Sequence, residues 1–597
     1  MPADAGPHYN VVVEPDVRVR VRDNIALASD VYRPARNGEP LAGRLPALLE
    51  RTPYDKRRPV LEQAGCFFAA RGYVFVSQDV RGRHGSEGEW YFLQSQEGAD
   101  GSDTLAWIAA QPWSHGRVGT MGLSYSTATQ QALAVLRPPA LAAQYLSDGG
   151  FSYFHRTLRN GGAFELGVLL PYAIRMAREG QLLARDPGAR AAFERELDGL
   201  RPWLQRLPLR RGESFLRHAP AEERWFFDML ERETYTDYWK QPTLSMAEHV
   251  DRYPDLPVAC QTSWYGHHVS ATVEKWLALR ARGRAPKRLL IGPWLHGYDE
   301  YARSYAGEVD FGAGSALDLL AERLRFFDTF VKGLETGLAE EPPVRLFVMG
   351  GGSGRRNRDG RVEHGGRWCD ASDWPLPATQ STRFFLHPGG SLRGEPPPAG
   401  VPPGRYRHDP SDPVPAIGGH VQNPAFPGLI QGGAFDQRGR AELWACRDTR
   451  PLRERADVLV FETEPLQEDI EVAGPIGVRL WVSSSEEDTD FVVKLIDVYP
   501  PSEDYPQGFA MNLSEAILRT RFRTGFERAE PMARGEVCEI ALEPQPIGNL
   551  FRAGHRIRLD VQSSHFPQFD VNPQPAENAV FHDALRPSHV VLHVISR

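Results

Sequence analysis

The stretch GRVGTMGLSYSTATQQALAVL (residues 116–136) decides how this 597-residue chain is read. VGTMG is a short run of strand type, and STATQQALAVL is a helix former with an apolar face. Ser124 stands at the junction, with Gly122 two residues before it and Ser126 two residues after it. A tight strand-to-helix turn needs small residues at those two places, because its backbone is crowded and its central residue is strained. The pattern here is G-x-S-x-S rather than G-x-S-x-G, and serine is small enough for the last position. Such an elbow sets the Ser124 hydroxyl over a helix N-terminus and aims the Tyr125 N–H at an oxyanion forming beside it. A serine in a glycine-containing turn is ordinarily only a turn. The strand on one side and the helix on the other give this one the setting of a nucleophile.

Working outward, LPALLERTPY (45–54) and GYVFVSQDVRG (72–82) read as buried strands, and GADGSDTLAWIAAQ (98–111) reads as a helix. Strands alternating with helices imply an α/β fold with a mainly parallel sheet, whose chemistry sits in loops at the carboxyl ends of strands. Before them, residues 10–35 alternate apolar and polar, which predicts two antiparallel strands turning near Asp23-Asn24. Residues 155–246 are rich in Arg, Leu, Glu and Ala, with no strong strand signal, and predict a helical cap. Strand signals return at LPVACQTSWYG (256–266) and RLLIGPWLHG (288–297), followed by a helical run at 315–335. Beyond residue 352, glycine- and proline-rich loops separate short β-runs, which predict a β-sandwich or jelly roll. The expected division is an α/β core at 1–154 and 247–352, a helical cap at 155–246 and a jelly-roll domain at 353–597.

A nucleophilic serine needs a base. His296, in a loop after a strand, has the right place and order, with His267 and His268 as rivals after another strand end. Each has a plainer reading as a surface or structural histidine. Composition narrows the function classes. The chain is 41% hydrophobic and 24% charged, with a formal net charge of −8, which is ordinary globular composition without the basic footprint of nucleic-acid binding. No apolar run is long enough for a membrane helix, and the N-terminus shows no secretory pattern. The five cysteines are scattered, which fits neither a disulfide framework nor a zinc pattern and suggests a reducing, cytoplasmic setting.

At these residues the sequence resembles the cocaine esterase and X-prolyl dipeptidyl-peptidase family of α/β-hydrolases, which includes α-amino acid ester hydrolases and glutaryl-cephalosporin acylases. RTPYDK (51–56), QDVRGRHGSEGEW (78–90), the run into Ser124, GPWLHG (292–297), GAFDQR (433–438), the 465–500 segment and AGHRIRLDVQSSHFPQFDVNP (553–573) follow the family's motifs in order. The resemblance implies an α/β-hydrolase core, a helical cap and a C-terminal jelly roll. It implies that Ser124 attacks an ester or amide carbonyl, that His296 relays the proton, and that the Tyr54 hydroxyl and Tyr125 N–H form the oxyanion hole.

One departure stands out. The family places its acid in a G-W-Y-D motif, and this chain has TSWYGHH (262–268), with Gly266 at the acid's place. Three explanations compete. Asp148 in QYLSDGG (144–150), on the strand after the nucleophile helix, takes over; or Glu274 or Asp299 does; or there is no acid. The first is preferred, although an aspartate before two glycines is also a common turn residue. Trp264, Tyr265, Phe151 and His268 lie near the expected site and are candidates to line an acyl pocket, with core packing as the plainer reading of any one aromatic. Asp79, Arg81 and Glu87 are expected to brace a loop. The SEEDTDF carboxylates are expected to be structural, because they lack the spacing of a calcium loop. The expected activity is hydrolysis of an ester or amide of a small molecule or short peptide, needing neither cofactor nor metal. Acyl transfer by the same nucleophile and a catalytically weakened binding protein are the alternatives. Nucleic acid and membrane are not expected as partners, and a homo-oligomer is left open.

Overall fold

In a computed structural model, residues 8–595 are described apart from 207, 422–425 and 427. The first seven residues, part of the N-terminus read above for a leader, lie outside the described residues, as does Ser596 at the end of the last β-run. The predicted N-terminal hairpin is present. Strands β1 (Asn10–Arg20) and β2 (Ala26–Arg36) pair antiparallel, and Asn24 takes a positive φ of 68° in the turn between them.

Seven strands then run parallel: β3 (Leu45–Thr52), β4 (Val74–Asp79), β5 (Ser114–Leu123), β6 (Leu141–Ser147), β7 (Val258–Ser263), β8 (Lys287–Gly292) and β9 (Val344–Met349). The spatial order is β1-β2-β4-β3-β5-β6-β7-β8-β9, and β10 (Gly366–Ala371) closes the edge antiparallel to β9. Every residue of β4 and β7 is buried, as expected of strands covered on both faces. The carboxyl ends of β5, β6, β7 and β8 therefore lie side by side, although residues 124 and 296 are far apart in the chain.

Helices α1 (Pro59–Ala69), α2 (Glu97–Ala110) and α3 (Tyr125–Ala134) connect the first strands. Between β6 and β7 the chain makes the predicted helical excursion. It includes α4 (Leu166–Arg178), α5 (Pro187–Leu197) and α6 (Pro220–Glu231). Asp186 caps α5, accepting from the Gly188 and Ala189 N–H groups ahead of Pro187, a type of cap that contributes about 1 kcal/mol. Aromatic packing ties this layer to the core: Trp225 of α6 stacks on Phe92 at 4.9 Å and meets Tyr172 of α4 edge-on at 5.9 Å. Helices α7 (Val269–Arg282) and α8 (Leu319–Phe327) complete the α/β part.

The C-terminal part is antiparallel β. Its central strand, Asp490–Tyr499, pairs with Phe509–Arg519 on one side and Arg556–Gln562 on the other. Three of the four carboxylates of the 485–491 run meet arginines: Glu486 with Arg534 at 3.1 Å, Asp488 with Arg521 at 2.7 Å and Asp490 with Arg519 at 2.9 Å. The Trp264 indole N–H donates to the Phe347 carbonyl at 2.6 Å, and the Tyr265 hydroxyl donates to the Asn512 carbonyl at 3.1 Å. The segment after β7 is thus pinned to β9 and to the β-rich part. Among the described residues no helix is long and apolar enough to cross a membrane.

Candidate active site

Ser124 is the residue between β5 and α3, with φ 64° and ψ −119°. A positive φ is costly for a residue with a side chain, by about 1–3 kcal/mol, and persists only where the surroundings impose it. They do so here. A Cβ on Gly122 would come within 2.4 Å of the Ser126 Cβ, so the residue at 122 has to be glycine, and the one at 126 has to be small. The Ser124 N–H donates to the Ser147 carbonyl at 3.0 Å, and the Thr127 hydroxyl donates to the same oxygen at 2.8 Å. The end of β6 is therefore clamped to the first turn of α3. Gly149 fits the same clamp, since a Cβ there would sit 2.3 Å from the Thr127 side chain.

The Tyr125 N–H belongs to the first turn of α3, where no helical carbonyl is available to it. The Tyr125 side chain is held away from that N–H by a 2.7 Å hydrogen bond from its hydroxyl to Glu97, which lies 3.0 Å from Arg51. Tyr54 follows β3, lines the same cavity as Ser124, and lies edge-on to Tyr125 and Tyr172 at 6.5 and 6.2 Å. The guanidinium groups of Arg175 and Arg58 lie 4.6 and 5.2 Å from the Tyr54 ring centre. The cavity has a volume of about 30 Å³, room for a water or two. Phe92, Leu169, Tyr172, His267 and His268 form part of its wall.

Beside the elbow, three strand ends meet at a buried carboxylate. Asp148 follows β6 with φ 40° and is fully buried. Its carboxylate accepts from the Thr262 hydroxyl (2.6 Å), the Ser263 N–H (3.1 Å), the Ser263 hydroxyl (2.9 Å) and the Tyr301 hydroxyl (2.7 Å). Four donors suit a carboxylate withdrawn from water. His296 Nδ1 lies 3.8 Å from Asp148 Oδ2, an ion-pair distance longer than a hydrogen bond. A Cβ on Gly266 would lie 3.3 Å from Asp148 Oδ1, so the glycine leaves the room that the Asp148 carboxylate fills. The other acidic candidates are engaged or remote: Glu274 pairs with Arg156 at 2.7 Å, and Asp299 is exposed.

The rival histidines are gathered at the same place. The ring of His296 lies 4.8 Å from that of His267 and 5.4 Å from that of His268, and the latter two are 3.9 Å apart. Burial, with the neighbouring imidazoles, pushes His267 and His268 well below the ordinary range. Burial lowers His296 too, and the Asp148 carboxylate opposes that shift. Burial thus favours the neutral form of all three rings.

The candidate pocket residues separate. His268 does line the Ser124 cavity. Phe151 lines a different cavity, of about 560 Å³, beside His155 and Gln568. Trp264 and Tyr265 line neither; their polar atoms are tied to Phe347 and Asn512, which turns the rings into the packing between core and β-rich part. Arg81 bridges Asp100 and Asp23 at 2.6 and 2.7 Å, Asp79 accepts from the Lys56 and Gly85 N–H groups, and Glu87 accepts from the Ala26 N–H, so that loop is braced as expected. Tyr301, Thr262 and Ser263 were not singled out by sequence reasoning. The last two are brought to Asp148 by the β6–β7 register, which sets Gln261 beside Ser147 and hence Thr262 beside Asp148, a pairing the sequence does not signal.

Comparison with known proteins agrees with this geometry. Residues 23–298 match the X-Pro dipeptidyl-peptidase (S15 family) domain, and residues 336–593 match the X-Pro dipeptidyl-peptidase C-terminal non-catalytic domain. The cocaine esterase of Rhodococcus sp. (strain MB1 Bresler) is 31% identical over 98% of this chain and 99% of its own. The chain belongs to the X-Pro dipeptidyl-peptidase (S15) family. An α-amino acid ester hydrolase structure aligns with 100% of this chain and 98% of its own, at 25% identity and a TM-score of 0.77. The fold is also that of an aminopeptidase from a marine-sediment Thaumarchaeota archaeon, at 24% identity and a TM-score of 0.76 over 100% and 98% of the two chains. This S15 protein is accordingly a serine hydrolase of the esterase and peptidase class, with an α/β-hydrolase core followed by a β-rich domain.

Proposed function

We propose that this chain cleaves an ester or amide bond of a small molecule or short peptide through an acyl-enzyme on Ser124. The observation that carries the reading is the coincidence, at the carboxyl end of one parallel sheet, of a strained serine at φ 64° with a buried histidine–carboxylate pair drawn from the ends of β6 and β8. In this reading His296 takes the Ser124 proton and returns it to the leaving group. Asp148, held by four donors, orients the imidazole and stabilises its charged form. The Tyr54 hydroxyl and the Tyr125 N–H receive the oxyanion, a contribution of about 3–4 kcal/mol per donor in comparable sites. The acyl group faces the aromatic wall formed by Phe92, Tyr153 and Tyr172.

The test is labelling by a serine-directed fluorophosphonate together with hydrolysis of a panel of aryl esters and aminoacyl amides. Wild type is expected to label and turn over. Ser124→Ala is expected to do neither, with turnover lower by about 10⁶-fold. A wild-type protein that neither labels nor hydrolyses would exclude the proposal.

A further inference from the structure

His267, His268 and His296 each offer a ring nitrogen, and these three atoms lie within 4.8 Å of one another. All three side chains are more than nine-tenths buried. Nδ1 of His267 and both nitrogens of His296 are shielded from solvent without a hydrogen-bond partner. No other group of three or more such side chains with metal-binding geometry occurs among the described residues. The segment responsible is the one that departs from the family motif, where the acid's place is taken by Gly266 and two histidines follow.

We propose that the three imidazoles form a site for a zinc-class divalent cation, and that its occupation holds the hydrolase inactive. Imidazole nitrogens suit Zn²⁺, Ni²⁺ and Cu²⁺, and three histidines with an open fourth position make a known zinc arrangement. Zinc–nitrogen bonds of about 2.0–2.1 Å put tetrahedral ligands about 3.4 Å apart, so rotations of the rings bring the 4.8 Å cluster into range. Part of an outer shell is also present. Asp148 stands 3.8 Å behind Nδ1 of His296, and the Thr157 hydroxyl lies 3.2 Å from Nδ1 of His268. Both contacts are on Nδ1 and leave the Nε2 atoms free for a cation. Metal-ligating histidines characteristically hydrogen-bond through their second nitrogen; the Thr157 contact to His268 has that form, and a small rotation of the His296 ring would bring Asp148 into it. Two of the three ligands, His267 and His268, line the cavity that Ser124 also lines. With His296 bound to the cation, its nitrogen cannot accept the Ser124 proton. This regulatory role rests on the serine-hydrolase reading; the cation site itself does not.

The test uses the full-length protein stripped with a chelator and titrated with Zn²⁺ and with Co²⁺ as a spectroscopic probe. One equivalent is expected to bind, with the visible bands of tetrahedral Co²⁺ and an X-ray absorption pattern of three imidazole ligands in the zinc form. Asp148→Asn is expected to weaken binding by about 10–100-fold, and His267→Ala and His268→Ala by more. Zinc is expected to suppress ester turnover and fluorophosphonate labelling of wild type, with recovery on chelation. Absence of a one-equivalent site, or an absorption pattern without three imidazoles in wild type, overturns the proposal even if the variants fail to fold. A protein that binds zinc at these histidines but neither labels nor hydrolyses when stripped keeps the site and refutes the hydrolase reading. One that hydrolyses but keeps full rate with the site filled refutes the inhibition.

Discussion

The elbow and the histidine–carboxylate pair beyond it differ in how far apart their parts lie in the chain. Gly122, Ser124, Ser126 and Thr127 sit within six residues, and their mutual contacts are local crowding and a helix start. Asp148, His296 and the Gly266–His268 segment come from the ends of β6, β8 and β7, and meet only because those strands are parallel neighbours. A local device is fixed by residue size at two or three positions. A device assembled from strand ends can move a functional group from one strand to the next and keep its place in space. A Cβ on Gly266 would lie 3.3 Å from Asp148 Oδ1, so two strand ends reach the same place in space here.

The largest effect is expected where the assembled part is broken. Asp148→Asn should lower kcat by about 10³–10⁴-fold, the cost seen when a triad acid is neutralised, while slow labelling of Ser124 persists. The sharper form is a swap: Gly266→Asp added to Asp148→Gly should recover part of the lost turnover. In the wild-type background, Gly266→Asp should instead destabilise the fold, because two carboxylates would share one buried site. Recovery would show the two strand ends to be interchangeable. No loss in Asp148→Asn would remove Asp148 from the relay.

On the local side, Gly122→Ala should cost about 2–3 kcal/mol of stability, because the added Cβ has no room against Ser126 and the turn cannot relax without displacing Ser124. Chemical denaturation measures this, and an unchanged midpoint would show that the elbow is softer than its contacts imply.

The smallest effect lies in the cap, away from both. The His155 ring is packed against Tyr235 at 4.6 Å and Phe526 at 5.2 Å, and burial holds its pKa at about 4. The folded protein therefore resists a proton that the unfolded chain accepts from an ordinary value of 6.5 downward. Stability contributed by the neutral ring is complete above pH 6.5, declines as pH falls, and is exhausted near pH 4. His155→Phe keeps the packing and should flatten the fall of Tm across that window, with the same slope in both proteins as the contrary result.

The same contrast explains what the sequence made legible. The elbow could be read because its evidence is contiguous: a strand, two small residues and a helix. The parallel sheet could be read because buried runs alternate with helices. That Asp148 would lie beside His296 was within reach because its strand reads as the neighbour of the one that ends in TSWYGHH. Trp264 and Tyr265 were not legible in the same way. Successive residues past a strand end leave in different directions, and the hydrogen bonds to Phe347 and Asn512 that decide those directions come from distant parts of the chain. The histidine cluster was hidden for a related reason. His267 and His268 are adjacent and read as rivals to His296, whereas the β7–β8 register makes all three neighbours.

The most direct test of the central claim is to trap the acyl-enzyme. Wild type and Asp148→Asn are mixed with an activated ester, quenched in acid, digested and mapped by mass spectrometry. The expected result is one acyl adduct on the peptide containing Ser124, more abundant in Asp148→Asn if deacylation is slowed more than acylation. An adduct on another residue, or turnover of the ester with no adduct at any quench time and no effect of Ser124→Ala, would contradict it.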